Sequence, residues 1–204
     1  MNNDETSRYE VTSLFSLPLY KANIGREFTK QEQDEFDIIY NNHLDNSNYL
    51  VKVEDNFKKT SIDKYLLKRK NLLDIQTFIN KRLKQFSADI LGIFDTKVSL
   101  EITQSWLNVF EPTAFNIVHH HRNSIISGVF YINCLELPDN KTDGILFEGN
   151  IHQMYYEIDL PIAQDTMFSD KPYFIPVVAG DLVLFPSTTM HSVNLNETSD
   201  QTRK

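Results

Sequence analysis

From about residue 30 to residue 92 apolar positions recur every three or four residues, and from about 97 onward they come in short runs broken by turn formers. In the first regime Thr29-Lys30-Gln31-Glu32 fits a capping box. Phe36, Ile39, Tyr40, His43 and Leu44 then share one face, which predicts a helix from about 30 to 44. A second helix follows from Leu72, Ile75, Ile79, Leu83, Phe86 and Ile90, with Gly92 where a C-terminal cap belongs. Each helix is apolar on one side only and needs a sheet or another helix to cover it. Upstream, residues 1–10 are polar, and the apolar stretch Val11 to Tyr20, interrupted by Pro18, suits an edge strand.

The second regime reads as strands at Val98 to Phe110, Ile125 to Cys134, Gly144 to Phe147, Met154 to Leu160, Tyr173 to Val178 and Asp181 to Phe185. Four of the six Gly and six of the seven Pro fall between 112 and 186 and punctuate these runs. Spacings this short leave no room for the crossover helices of a parallel sheet. The expected architecture is a single domain, mainly β with N-terminal helices: a helical support layer over about 1–96 and a β-sandwich over about 97–204.

Composition narrows the class. Hydrophobic residues make up 41% of the 204, with 14 Phe and 9 Tyr, enough apolar surface to close a core. The balance of 20 Lys+Arg against 28 Asp+Glu gives a net charge of −8, the wrong sign for general nucleic-acid binding, although Lys68-Arg69-Lys70 forms a local basic patch. A single Cys134 excludes an internal disulfide framework or a Cys-rich metal site and fits a reducing compartment. The chain has no apolar run of membrane-spanning length, and its acidic start does not read as a signal peptide, so a cytoplasmic protein is expected.

Candidate chemistry is concentrated in the histidines, four of which are His119, His120, His121 and His191. On an extended segment side chains alternate, so His119 and His121 point to one side and His120 to the other. His191 follows the turn and strand Gly180-Asp181-Leu182-Val183-Leu184-Phe185-Pro186, which can bring it in from a neighbouring strand. Three converging imidazoles suit iron, zinc, copper or nickel. A His run is equally read as a solvated polar patch, so spacing alone leaves both readings open.

The segment His119-His120-His121-Arg122-Asn123-Ser124-Ile125-Ile126-Ser127-Gly128-Val129-Phe130-Tyr131 resembles the H-x-H-x-N-S-x-x-S-G-V-Y-Y motif of 2-oxoglutarate/Fe(II)-dependent oxygenases common in phages and marine bacteria. Leu14 to Tyr20, Ser105 to Phe110 and Gly180 to Val193 are similar to that family's opening, pre-motif and closing segments. The resemblance implies a double-stranded β-helix, the jelly roll of the cupin superfamily, with Fe(II) and 2-oxoglutarate as cofactors. It makes His119 and His191 metal ligands and puts His121 where most such oxygenases carry Asp or Glu, a departure that leaves the iron site one unit more positive. His121 is then either a direct ligand or a residue acting from behind the ligands. Arg203 occupies the place of the Arg that forks onto the distal carboxylate of 2-oxoglutarate, and family members usually continue into a final strand after it. Asn108, Ser127 and Tyr131 are the candidates for hydrogen bonds to the cosubstrate.

Other residues receive plainer readings: His43 and Trp106 as core, His152 as a solvated loop residue, Cys134 as a small buried hydrophobe and Asn123 as a turn former. Asp143 and Glu148 flank a strand near the motif, so either carboxylate is an alternative third ligand. Two rival functions stand beside the oxygenase: a three-histidine cupin-type dioxygenase that does not use 2-oxoglutarate, and a non-enzymatic β-sandwich module, for instance of a virion. The substrate expected first is a peptidyl residue, with nucleobases and small metabolites open. A homodimer is compatible with the sequence, and the setting implied is a bacterial or phage-infected cell.

Overall fold

The computed structural model describes residues 17–42, 44–45, 58–93, 98–137, 141–148 and 172–204. In chain order these form β1 (Tyr20–Asn23), α1 (Lys30–Asn42), β2 (Leu44–Asp45), β3 (Lys59–Ser61), α2 (Leu73–Gln85), β4 (Asn108–Val109), β5 (Asn116–His119), β6 (Ile126–Phe130), β7 (Gly144–Phe147), β8 (Tyr173–Pro176), β9 (Asp181–Pro186) and β10 (His191–Val193). Two 3-10 turns, Leu66–Lys68 and Lys70–Leu72, lead into α2, and a π turn, Phe86–Ile90, ends it.

The capping box at α1 is reciprocal. Glu32 N–H donates to Thr29 Oγ1 at 3.3 Å while Thr29 N–H donates to the Glu32 carboxylate at 2.7 Å. That carboxylate is 2% exposed, and Arg26 forks onto it at 2.6 and 2.8 Å, which holds its pKa below the usual carboxylate range. A second buried acid of α1, Glu35, accepts from Arg69 and Asn71 and so ties the helix to the 3-10 segment. The second helix is longer in sequence than in α geometry: it widens into the π turn after Gln85, and Gly92, at φ 65°, closes it in the left-handed conformation that glycine adopts at least cost.

The strands form three antiparallel sheets, ordered β1-β9-β6, β5-β10-β7-β8 and β2-β3-β4. The C-terminal residues connect them: Arg203 bridges Phe110, just beyond β4, and Ile132 N–H, just beyond β6, donates to the Lys204 carbonyl. At the centre lies β9, whose run Leu182-Val183-Leu184-Phe185 is buried on both faces. Leu182 and Leu184 pack toward the helices with Phe36, Ile39, Ile75, Ile79 and Phe86, whereas Val183 and Phe185 enter a second core with Tyr131, Ile145, Phe147, Ile175 and Val177. The helices therefore brace one face of the β1-β9-β6 sheet, and the second core lies on its other face, shared with β7 and β8.

Several sequence expectations change. The edge strand is β1, starting at Tyr20 after Pro18, while residues 11–16 lie outside those described. Val98 to Phe110 is mostly irregular, because Ser105 and Phe110 make single bridges and only Asn108–Val109 pairs as a strand. The β2-β3-β4 sheet was not expected: its strands are two or three residues long and leave no periodic trace. Met154 to Leu160, His43 and His152 fall outside the described residues.

Candidate metal centre

Strand β10 hydrogen-bonds on both edges, with His191 opposite His119 of β5 and opposite Phe147 of β7. Directly paired residues point to the same face, so this register sends His191 and His119 into the same space. The β5–β10 register shifts between His191 and Val193, and both Ile117 and Val118 of β5 are exposed. His121 follows β5, its backbone N–H donating to the Ser187 carbonyl at 2.9 Å. Its ring is parallel to that of His191 to within 7°, at 5.1 Å between centroids. His120, between the two, is exposed. One ligand nitrogen from each of His119, His121 and His191 lies within 4.8 Å of the others, and among the described residues these three form the group able to hold a metal ion.

The rings are held for the task. His119 Nδ1–H donates to the Ile117 carbonyl at 2.8 Å and His191 Nδ1–H to the Thr189 carbonyl at 2.9 Å, which leaves Nε2 of each as the lone-pair donor. His121 Nε2 stands 3.2 Å from His191 Nε2. Metal–nitrogen bonds of about 2.1 Å at right angles put neighbouring ligand atoms about 3 Å apart, so the pair already has the separation of adjacent ligands. Burial pushes the pKa of both His121 and His191 down to about 4 and lowers that of His119, the mutual repulsion of the rings adding to it. All three are neutral at pH 7, the form that binds metal. The residues present fit a first-row divalent ion.

The other candidate residues divide. Ser127 Oγ and Ser124 Oγ both reach Ser187 Oγ, at 2.8 and 2.7 Å, so the three hydroxyls lock the segment that carries His121. Asn108 accepts from Thr60 Oγ1 at 3.1 Å across β3 and β4. Tyr131 belongs to the inter-sheet core, and burial, with Asp143 nearby, pushes its hydroxyl pKa up. Arg203 is 3% exposed and gives its Nε and Nη2 to Asp143 at 2.8 and 2.7 Å. Its side-on fork is therefore occupied by a protein carboxylate. Asp143 also accepts from the backbone N–H of Leu135 and of Gly144. This removes Asp143 as the alternative third ligand, because its oxygens are already committed to Arg203 and the backbone.

Sequence reasoning missed several neighbours. Trp106, expected in the core, is only half-buried and sits 6.0 Å from the His121 ring. Asn116 brings its amide to 3.2 Å from His119 Nε2. Lys58 is close enough for its charge to act on all three histidines. A lysine in the polar stretch Phe57-Lys58-Lys59 carries no sequence signal for such a place. Cys134 is half-buried, and burial pushes its thiol pKa up to about 12, as suits an inert thiol.

No curated protein sequence matches the chain significantly. Among solved structures, a prolyl-4-hydroxylase of Pseudomonas putida superposes with a TM-score of 0.54 at 16% identity, covering 91% of this chain and 88% of that one, a likeness of fold. Residues 104–204 match the sequence profile of the family described as "Putative 2OG-Fe(II) oxygenase". This segment, which holds the three histidines and Arg203, belongs to that oxygenase family.

Proposed function

We propose that the protein is an Fe(II)- and 2-oxoglutarate-dependent oxygenase built on a double-stranded β-helix. The observation that carries the reading is the convergence of His119, His121 and His191 inside the family-matched segment. The sheet orders β5-β10-β7-β8 and β1-β9-β6, with Arg203 bridging toward β4, support the jelly-roll architecture.

In this reading His119, His121 and His191 hold Fe(II), which with bound 2-oxoglutarate supplies the means to insert one oxygen atom of O2 into a substrate C–H bond as the oxo acid leaves as succinate and CO2. The chain's own part is placement and exclusion of water. Ile117 and Thr189 fix the ring orientations through their carbonyls, Ser187 holds the His121 backbone, and Phe147 and Phe185 wall His191, their rings 6.1 and 4.8 Å from it. For His119 Nε2 to ligate, the Asn116 amide, 3.2 Å from it, would have to give up that nitrogen. Ser127, Asn108 and Tyr131 stay the candidates for polar contact with the cosubstrate. A peptidyl residue is the first substrate class to try, since the fold neighbour is a prolyl hydroxylase. The protein works in a bacterial or phage-infected cytoplasm, alone or as a homodimer.

A second reading, a three-histidine dioxygenase acting without 2-oxoglutarate, is favoured by the imidazole in the third ligand position and by the occupied fork of Arg203. Anaerobic loading with Fe(II), followed by addition of O2 and 2-oxoglutarate, separates the two. Succinate formed in step with oxo-acid loss supports the oxygenase. A protein that binds Fe(II) but neither turns over 2-oxoglutarate nor binds its inert analogue N-oxalylglycine is the three-histidine enzyme, and one that takes up no metal is neither.

A further inference from the structure

The three candidate ligands are not held alike. His119 and His191 each anchor the ring through an Nδ1–H donated to a backbone carbonyl, that of Ile117 at 2.8 Å and that of Thr189 at 2.9 Å. Such an outer hydrogen bond orients nearly every metal-binding histidine. Among the described residues none accepts from Nδ1 of His121, whose ring has its one polar contact on the ligating side, Nε2 against His191 Nε2. The Ser187 carbonyl fixes the His121 backbone, which leaves both side-chain torsions of the ring to be set by something else.

Rings surround His121 instead. His191 lies parallel to it within 7° at 5.1 Å, and His119 stands 5.3 Å away at 55°. Both are candidate ligands themselves, so neither orients His121 independently of the metal. The third ring is the indole of Trp106, the single tryptophan of the chain, 6.0 Å away between centroids and tilted by 32°, within the range of aromatic pairs.

Trp106 is gripped from both sides. Ser105 N–H donates to the Lys64 carbonyl at 2.8 Å, while the Ser105 carbonyl and Oγ accept from the N–H groups of Leu66 and Leu67, each at 3.0 Å. Leu107 N–H donates to Ser61 Oγ at 3.0 Å, and the Leu107 carbonyl accepts from Ser61 N–H at 2.9 Å. The Leu107 side chain belongs to the core on the helical side, so alternation turns Trp106 the other way, toward the histidines. An indole carried between two residues bonded to a separate segment does not follow a moving ring. It is a fixed wall, the kind of support a ligand needs to hold its geometry.

We propose that Trp106 is the positioning residue of His121, its indole standing in for the hydrogen bond that orients the other two ligands. His121 is then held by a wall and not by a tether, which makes it the adjustable ligand of the three. The inference rests on the three-histidine reading of the metal centre.

The test is Co(II) binding to the full chain, read by affinity and by visible absorption. Trp106→Ala should weaken Co(II) about tenfold, the low end for a residue behind a metal ligand, and move the spectrum toward that of His121→Ala. Trp106→Phe, which keeps an aromatic wall, should restore most of both. In a His121→Ala background Trp106→Ala should change neither further, because the ring it positions is gone. Equal losses in both backgrounds, or a lowered unfolding midpoint with an unchanged Co(II) spectrum, make Trp106 a part of the fold alone and overturn the inference. Proton NMR of the wild-type Co(II) protein tests the premise without a substitution: the His121 Nδ1–H should exchange with D2O faster than those of His119 and His191, and three equally slow protons overturn it. Affinity that survives His121→Ala takes His121 out of the ligand set and the inference with it. A wild-type protein that binds no Co(II) removes the metal reading itself.

Discussion

Two charged regions of this molecule are shielded from solvent in opposite ways. The Asp143–Arg203 pair, 4% and 3% exposed, is neutral as a unit, doubly hydrogen-bonded and further satisfied by the backbone of Leu135, Gly144 and Asn194. The histidine pocket holds three imidazoles with no acid among the ligands the described residues offer, and burial pushes the pKa of each of the three toward the uncharged form. A pair complete in itself stabilises a fold and asks for nothing more. A pocket whose imidazoles are kept neutral by burial has its lone pairs free for a ligand.

The largest effect expected from this contrast is on stability. Arg203→Ala leaves the Asp143 carboxylate buried and unpaired, and should cost about 3–5 kcal/mol in denaturant unfolding, whereas the double change Arg203→Met with Asp143→Leu should recover most of it. A loss below about 1 kcal/mol would place the pair in water, like an ordinary surface bridge. Next in size is metal binding. His119→Ala and His191→Ala should each weaken Mn(II) or anaerobic Fe(II) binding by more than about a hundredfold, and His120→Ala by no more than about twofold. A damaging His120→Ala beside a harmless His119→Ala would reverse the assigned faces of the strand.

A third effect separates the regions by pH. In the metal-free protein His121 and His191 titrate near 4, below their unfolded value near 6.5, so the unfolded chain binds more protons between those limits. Their contribution to stability is complete above about pH 6.5 and is lost as the pH falls toward 4. Unfolding midpoints measured from pH 8 to pH 4 should drop over that window and drop less in His191→Gln; parallel curves for the two proteins would sink the explanation. The smallest effect is a reference remote from both regions. Thr29→Ala removes one half of the α1 capping box and should cost about 1 kcal/mol, with metal binding unchanged.

What the sequence disclosed depended on how local each feature is. The capping box, the left-handed Gly92 and the strand Gly144–Phe147 were legible because each is written in a few consecutive residues. The alternation of His119 and His121 was legible for the same reason, although the register irregularity beside His119 was not. The Asp143–Arg203 pair joins residues 60 apart and leaves no pattern in either segment. Lys58 owes its place to the β3–β4 pairing, strands too short to show a period, and Trp106 owes its place beside His121 to an irregular stretch that its apolar residues presented as a strand.

The three-residue strand β10 also fixes when the site can exist. His121 and His191 are 70 residues apart, and they meet only after β10 has seated between β5 and β7. As the chain emerges from the ribosome, the first two ligands are present long before the third, so a tight metal complex forms only when this late strand closes. An ion bound there would act as a latch on this three-residue strand, slowing the opening of the assembled sheet without hastening its assembly. A chelator should therefore change the unfolding rate and leave the refolding rate where it was.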